Sequence, residues 1–380
     1  MRVFPVLCPA ALGCALLAPG AHAQEGPDLT AAYTMDVVGV AAEGEDKVFW
    51  LDNLDLVAEL PLTSTTRAHA DVLVNLGGKP NDRAGTLQGV DNIEVASHRV
   101  RLFEAWIEQQ LDAHSTLRAG LYDLNSEFYS NDAAGLLMAP AFGVGSEIAA
   151  TGPNGPSIFP STALGVRLDR SFAGGGFARA AVLNASARTF GDPGGVDVDF
   201  HNGALVIGEA GAAGKHGKIG IGAWTYTRRQ DDLVAVDAAG DPLRRRAQGA
   251  YVIAERPFGD PEGQGAVSAF VRAGISDGKT TPFRGGWQAG MLVTKLWAGR
   301  EDSQFSFGAN QGYVSRGYRE ILRGEGVRTA AAESAVELTY SDKLAKWLTL
   351  QPDLQLIFNA GGDADAKPVL VAGLRTTAEF

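Results

Sequence analysis

Apolar and polar residues alternate in one short segment after another along most of this chain. Between positions 67 and 75, every even position is alanine or valine, while His69 and Asp71 stand among the residues between them. A period of two places the two sets on opposite faces of a β-strand. Stretches rich in Gly, Pro, Asp and Asn, such as residues 77–82 and 191–195, separate the segments and predict turns. This rhythm predicts an all-β fold, either a sandwich or a barrel.

The beginning of the chain has the features of an export signal. Arg2 precedes an apolar run over residues 3–18, and the small residues Ala21 and Ala23 fit a cleavage site before Gln24. The sequence therefore predicts a signal peptide that is removed from the mature protein.

Both cysteines, Cys8 and Cys14, lie within this predicted signal peptide (residues 1–23). The mature chain (residues 24–380) then has no disulfide, so an exported protein of this kind needs a large core or a closed barrel. A lipoprotein cysteine at Cys14 is the alternative, but the apolar run before it is short. No linker or break in composition divides residues 24–380, which we expect to form a single domain.

Charge and hydropathy narrow the class of protein further. The net charge of −11 argues against a nucleic-acid partner. The dense basic run at residues 244–246 follows Asp241 and Pro242 and suggests a turn. No apolar run after the leader reaches the roughly 18–20 residues of a spanning helix. Spanning strands need only about 9–11 residues with every second one apolar, so a membrane barrel stays possible.

The stretch from residue 99 to residue 170 carries the most chemistry. Its first strand, residues 99–110, places Phe103, Ala105 and Ile107 on one face. The opposite face and the matching faces of the two following strands collect Glu104, Trp106, Glu108, Arg118, Tyr122, Arg167 and Asp169. That is too much charge for a dry core. The face must meet bulk water or line a wet channel.

This part of the chain resembles the carbohydrate-selective outer-membrane porins of the OprB family. The resemblance is carried by RLFEAWIEQ at residues 101–109, GLYDLNSEF at residues 120–128 and GPSIFPSTALG at residues 155–165. LTLQPDLQ at residues 348–355 and the ending from Gly373 to Phe380 also resemble the family. The resemblance implies a sixteen-stranded transmembrane antiparallel barrel that admits small sugars by facilitated diffusion. A mature chain of 357 residues (380 less 23) gives about 22 per strand, which suits a strand of about ten with a turn or loop.

A sugar-selective pore should combine forked donors, acceptors and aromatic platforms at its narrowest point. We predict that the loop at residues 130–160, which is long for a surface connection, folds inward and narrows the channel. The predicted constriction residues are Glu104, Trp106, Glu108, Arg118, Tyr122, Asp123, Asn125, Glu127, Phe128, Arg167 and Asp169. The alternative for each charged residue is simple pairing with its neighbours across a wet lumen.

The last strand bears on the cellular location and on the partners of the protein. Leu370, Ala372 and Leu374 share a face with Ala378 and the terminal Phe380, which would lie in an interfacial aromatic girdle. Such an ending resembles the signal that the outer-membrane insertion machinery reads. We therefore expect a protein of the Gram-negative outer membrane, in contact with its lipid and lipopolysaccharide, that takes small carbohydrates as cargo.

Three other functions remain open from the residues alone. A general, non-selective porin and a secreted soluble glycan-binding β-protein both fit the strand pattern. An enzyme would need the Gly-x-Ser-x-Gly pattern at residues 274–278 to form a strand-to-helix elbow, and no helix is evident after it. We predict no enzyme, no cofactor and no metal site, because the histidines lack ligand spacing and the Asp pairs at 197/199 and 363/365 lack a full calcium-loop pattern.

Overall fold

A closed antiparallel barrel is the main feature of the computed structural model, which describes residues 26–260 and 263–380. Within these residues sixteen strands form the barrel, and the first strand β1 (Asp28–Ala41) pairs with the last strand β18 (Val369–Glu379) to close it. The predicted barrel and its strand number are confirmed. The predicted signal peptide lies outside the described residues.

The strands between these two lie around the barrel in chain order, and each pairs with the barrel strand before it and the one after it. They are β2 (Lys47–Pro61), β3 (Thr66–Gly77), β4 (Arg99–Asp112), β5 (Ser115–Tyr122), β6 (Ala163–Ser171), β7 (Gly176–Asn184), β8 (Ala204–Gly214), β9 (Gly217–Tyr226), β12 (Gln248–Phe258), β13 (Ala266–Ser276), β14 (Phe283–Thr294), β15 (Gln304–Val314), β16 (Ala332–Ala345) and β17 (Leu348–Phe358). Strands β10 (Gln230–Val236) and β11 (Pro242–Arg245) form a separate hairpin between β9 and β12.

The closure between β1 and β18 shows how the period of two sets the two surfaces. Val37 pairs with Leu374, and their side chains are 39% and 42% exposed on the outside. The next pair along, Asp36 and Arg375, points inward, where the arginine Nη2 lies 2.7 Å from the Asp36 carboxylate. The predicted apolar outer face and polar inner face of the last strand are therefore confirmed at these positions.

The two rims of the barrel differ in their connections. One rim has short turns, such as residues 113–114 between β4 and β5 and residues 215–216 between β8 and β9. The other rim carries the long loops. Two of these turn into the barrel: L2 (residues 78–98) between β3 and β4, and L3 (residues 123–162) between β5 and β6.

L3 follows the predicted inward path. Its short helices, α2 (Ser146–Ala149) among them, lie against the inner wall rather than above the rim. Leu124, Phe128 and Ile148 pack in one buried cluster with wall residues that include Leu205 and Trp224. Burying a large apolar side chain contributes about 1.5–3 kcal/mol. This part of the inner wall is therefore apolar, because L3 covers it. The sequence pattern had suggested an inner wall that is polar throughout.

L2 is a second inward loop that the sequence did not reveal. Its start at residues 77–82 looked like a turn but contains the helix α1 (Pro80–Ala84). L2 contacts L3 directly: Ser146 Oγ donates to Gln88 Oε1 at 2.6 Å. The lumen is thus narrowed from two sides.

Several local predictions were wrong for physical reasons. Strands β7 and β8 were missed because their alanine and glycine residues give little contrast between faces. Residues 244–246 are not a turn, since the first two lie in β11. Phe103 leaves its predicted face because a β-bulge shifts the register of β4 there, and its ring packs edge-on to Phe159 at 6.1 Å. The helix α3 (Arg316–Gly324) was also not predicted.

No helix in the described part of the chain is long and apolar enough to cross a membrane.

Candidate functional site

Charged side chains from three neighbouring strands meet at one height inside the barrel. Glu108 on β4 is the register partner of Arg118 on β5, which in turn is the partner of Arg167 on β6. Directly opposed residues on one face of a sheet are within side-chain contact. Glu108 Oε2 accordingly lies 3.0 Å from Arg118 Nη2 and 2.6 Å from Arg167 Nη2. The polar face predicted for these strands is the one that forms this contact.

Two further residues complete the group. Arg67 on β3 reaches the other oxygen of Glu108 at 2.6 Å. Glu127 comes from L3, where it accepts from Arg167 Nε at 2.8 Å and lies 3.6 Å from Arg118. We call Arg67, Glu108, Arg118, Glu127 and Arg167 the charge cluster. It places three guanidinium groups around two carboxylates, so donors outnumber acceptors.

Glu127 is the loop residue that joins L3 to this cluster. Tyr122 donates its hydroxyl proton to Glu127 Oε2 at 2.5 Å. Burial raises the pKa of Glu127, but the charges of Arg118 and Arg167 outweigh it and lower that pKa to about 2. The carboxylate therefore stays ionised and holds the beginning of L3 against β5 and β6.

Trp106 is flanked by protein groups rather than left open. The His69 ring stacks on it with 4.7 Å between centroids and 9° between planes, and the Arg118 guanidinium lies 3.8 Å from its ring centre. Its Nε1 donates to Glu104 at 3.2 Å, and the whole residue is 6% exposed. Stacking with an arginine holds both partners rigid. His69 and Arg67 were not among the predicted site residues, although both lie on the polar face of the most regular alternating segment.

The predicted acceptors Glu104, Asp123 and Asn125 lie together at the start of L3. Glu104 Oε1 accepts from the backbone N–H of Asp123 at 2.9 Å. The Asp123 carboxylate accepts from the backbone N–H of Asn125 at 2.9 Å. Asn125 donates its amide to the Gly143 carbonyl at 3.1 Å and so links the two limbs of L3. All three residues are partly exposed.

Phe128 and Asp169 lie at the edge of this group. Phe128, which belongs to L3, is fully buried against the barrel wall, so its ring does not face the lumen in this structure. Asp169 lies 3.2 Å from Arg179, whose Nη1 donates to the Glu127 carbonyl at 2.7 Å. The structure thus brings most of the predicted site residues together, while their roles in sugar binding remain predictions.

The residues that hold L3 on the far side of the barrel were missed by sequence reasoning. Arg272 on β13 is fully buried and donates to the carbonyls of Tyr129 at 2.8 Å, Gly143 at 3.1 Å and Ala141 at 3.3 Å. Its Nη2 also contacts the carbonyl of Phe142. One side chain therefore ties both limbs of the loop to the wall.

Wall carboxylates hold the N–H groups of the same loop. Glu209 accepts from Tyr129 at 2.9 Å, Glu255 from Ala133 at 3.1 Å and Glu337 from Ala139 at 3.0 Å. We call Glu209, Glu255, Arg272 and Glu337 the anchoring wall. Each is a charged residue on the inner face of a strand, which is the signal that could have identified them.

L2 is held by the same kind of contact. Glu333 on β16 accepts from the backbone N–H groups of Leu87 at 2.8 Å and Gln88 at 3.0 Å. It also accepts from Gly361 at 2.8 Å, in the loop between β17 and β18.

The Gly-x-Ser-x-Gly pattern has a structural explanation. Gly274 lies on β13 where a Cβ atom would overlap the buried carboxylate of Glu147. Ser276 ends that strand, its Oγ donates to the Phe283 carbonyl at 2.6 Å, and a turn rather than a helix follows. The nucleophile elbow that this pattern requires is therefore not formed.

One residue of each of the two Asp pairs, for which the sequence predicted no metal site, contacts an arginine. Asp197 lies 3.0 Å from Arg188, and Asp365 accepts from Arg328 Nε at 2.8 Å. Among the described residues, no group of three or more His, Cys, Asp or Glu side chains is placed to hold a metal ion.

Comparison with known proteins assigns the family. The sequence matches the family described as carbohydrate-selective porin, OprB family, over residues 53–380. The chain belongs to the OprB family. No curated protein sequence matches the chain. The OprB match covers most of the barrel, including all of the charge cluster and the anchoring wall.

Solved structures agree with the OprB fold. The structure of OprB from Pseudomonas putida at high pH has 20% sequence identity and a TM-score of 0.81, and the alignment covers 93% of this chain and 94% of that one. The outer-membrane channel DcaP of Acinetobacter baumannii aligns with 11% identity and a TM-score of 0.58, over 96% of this chain and all of that one. An anion-selective porin from Comamonas acidovorans has 11% sequence identity and a TM-score of 0.57, and the alignment covers 93% of this chain and 99% of that one. At these identities the likeness concerns the fold.

Proposed function

We propose that this OprB-family porin lets small sugars diffuse passively across the outer membrane through a passage bounded by the charge cluster, L2 and L3. The observation that carries the proposal is the family match over residues 53–380 in a barrel whose lumen two loops narrow. A channel of this kind selects by its width and by the groups at its narrowest point.

The chemistry of the site suits a neutral, hydroxylated solute. The charge cluster offers more N–H donors than its own carboxylates use, since each arginine carries five. Glu104, Asp123 and Asn125 are partly exposed and supply acceptors nearby. A sugar hydroxyl can accept a hydrogen bond from the arginines or donate one to these acceptors, in place of its hydrogen bonds to water. The contacts must be weak, because a pore that binds its cargo tightly does not conduct.

Trp106 and Tyr122 would act indirectly in this proposal. Both rings are buried beside Arg118, at 3.8 and 5.1 Å from its guanidinium carbon. They fix the direction in which the arginine presents its remaining donors. A stacking role toward the sugar, as predicted for these aromatic residues, would require one of the flanking groups to move aside.

The setting in the cell follows from the same assignment. We place the protein in the Gram-negative outer membrane after removal of residues 1–23, with the short-turn rim toward the periplasm and the long-loop rim outside. The apolar outer face would contact lipid and lipopolysaccharide. The strand that ends at Phe380, whose side chain is exposed, would be read by the insertion machinery.

Swelling of proteoliposomes tests this function. Glucose should enter vesicles that contain the protein faster than an amino acid of similar mass, and vesicles without protein should admit neither. Entry in strict order of molecular size would support a general porin instead. A folded protein that stays soluble without detergent would remove the membrane channel altogether.

A further inference from the structure

A cavity lies at the mouth of the barrel, on the long-loop rim and above the charge cluster. It has a volume of about 540 Å³ and lies between the end of L2, the returning limb of L3 and the loop L4 (residues 185–203). Sites for small ligands commonly have volumes of about 300–1,000 Å³. The sequence GPSIFPSTALG, one of the segments that carry the family resemblance, supplies much of its lining.

One side of the cavity is an apolar platform. Phe159 is partly exposed there and is held edge-on against Phe103, at 6.1 Å between ring centroids. Pro156, Ile158 and Pro160 flank it in the lining. Phe159 also packs against an apolar cluster of L2 and wall residues, so its ring is fixed, and the exposed part is suited to the C–H face of a sugar.

The other side carries arginines. Arg101 is buried and donates to Asp192 at 2.9 Å and to the Ser97 carbonyl at 3.3 Å, so it forms the fixed base of the cavity. Arg99 donates to Ser97 Oγ at 2.9 Å and to the Gly191 carbonyl at 3.3 Å. These two contacts use two of its five N–H groups, and its side chain is 26% exposed. Arg99 therefore has donors to offer.

The cavity is connected to the constriction by hydrogen bonds. The Asn154 amide donates to the Ala187 carbonyl at 2.6 Å and joins L3 to L4. Ser157 Oγ donates to the Tyr122 carbonyl at 2.6 Å, and the Ser157 carbonyl accepts from Leu124 N–H at 2.9 Å. The wall of the cavity is thus continuous with the segment that bears Tyr122 and Glu127.

We propose that this cavity is an entrance site at which a neutral, hexose-sized sugar docks before it reaches the charge cluster. Phe159 takes the apolar face of the ring, and Arg99 donates to its hydroxyls. Asp192 lies 2.9 Å from Arg101 and 4.0 Å from Arg99. Arg188, which also lines the cavity, lies 3.0 Å from Asp197, so each arginine of the lining has a carboxylate nearby. One platform and one forked donor hold the sugar briefly and raise its local concentration at the passage. This inference rests on the proposed sugar-transport function.

Sugar-induced block of ion current in a planar bilayer tests the entrance site. Glucose or maltose is added to one side at a time, and a labelled Ala239→Cys variant identifies the long-loop side. Phe159→Ala and Arg99→Gln should each lower the rate of block from that side about 2- to 10-fold, the size expected for one aromatic or hydrogen-bonding contact. Salt conductance should not change. Phe159→Trp keeps the platform and should keep the rate.

Matched controls lie on the opposite rim. Phe172→Ala and Arg170→Gln remove an exposed aromatic ring and an exposed arginine near the short turns, and should leave block from the long-loop side unchanged. Heat-dependent mobility on a detergent gel confirms that each variant forms a barrel. Wild-type block that Phe159→Ala and Arg99→Gln do not alter would overturn the entrance site and leave the sugar pore intact. A wild-type protein that sugars neither block nor cross would overturn both.

Discussion

The charge cluster and the anchoring wall use buried charges in opposite ways. In the cluster, charges meet charges: Glu108 contacts Arg67, Arg118 and Arg167. In the anchoring wall, charges contact the backbone of L3, as Arg272 does with four carbonyls. In the first arrangement the donors that a solute can reach are mainly those of Arg67, whose side chain is 42% exposed against 8% for Arg118 and 2% for Arg167. The second fixes where the loop lies.

The difference predicts which residues can change without altering the pore. A side chain that pairs with another side chain can be replaced together with its partner. A side chain that satisfies several backbone groups has no single partner to replace, because the loop would have to move. The size of the passage should therefore depend on the anchoring wall, and its preference for sugars on the cluster.

Replacing Arg272 with methionine should give the largest effect. The buried carbonyls of Tyr129, Ala141 and Phe142 would lose their donor. Each buried unsatisfied group costs about 1–3 kcal/mol, so we expect a loss of about 3 kcal/mol or more in unfolding free energy. L3 should then leave the wall and raise single-channel conductance. Arg256→Met, on the exposed end of β12, is the matched control. An unchanged conductance would show that Arg272 does not position the loop.

The pair Arg167 and Glu127 should show strong coupling. Arg167→Met leaves the Glu127 carboxylate without its closest partner and should cost about 3 kcal/mol. Glu127→Gln should cost less, because Arg167 keeps Glu108 at 2.6 Å. The double variant should be less destabilised than the sum by about 1–3 kcal/mol, as contacting residues usually are. Denaturant unfolding of the four proteins gives this coupling energy. Additive losses would mean that the two residues act independently.

Arg118→Ala should separate sugar flux from salt flux. In this variant Glu108 keeps its contacts with Arg67 and Arg167, so the strands that carry the charge cluster should stay in place. The donors nearest Trp106 are lost. We expect sugar flux to change about fivefold, equivalent to about 1 kcal/mol for one polar contact, with a smaller change in salt conductance. Swelling assays and bilayer recordings on the same preparation measure both. Equal changes in both fluxes would mean that Arg118 sets width alone.

Lowering the pH should have the smallest effect. The pKa of Glu127 is lowered from its ordinary value of 4.5 to about 2, so its stabilising effect is complete above about pH 4.5 and is lost as the pH falls toward 2. The difference in unfolding free energy between wild type and Glu127→Gln should be constant from pH 7 to pH 5 and shrink below about pH 4. If that difference already falls between pH 7 and pH 5, the carboxylate is not held by the arginines as described.

The residues that sequence predicted well lie in strands with clean alternation. Glu108, Arg118 and Arg167 sit at inward positions of β4, β5 and β6, and pairing of neighbouring strands then brings them together. Their mutual contact needs only strand register. The family resemblance added what alternation cannot give, namely the strand number and a sugar as cargo.

The parts that sequence did not predict depend on loops. Arg272 and Glu337 are visible as polar residues in their strands, but their partners are loop backbone groups 130–200 positions away. His69 is the register partner of Trp106, so their stacking follows from strand pairing, whereas the contact between Arg118 and the Trp106 ring depends on side-chain packing. L2 has no long polar or apolar run to distinguish an inward loop from a surface one. Long-range closure of this kind is not encoded in local periodicity.

The most direct test of the central claim is ion current through single channels as glucose or maltose is added. The account predicts that current falls with sugar concentration and saturates, because the sugar occupies the passage while it crosses. Free passage of simple ions with no block and no permeation by either sugar would contradict carbohydrate selectivity and leave only a pore.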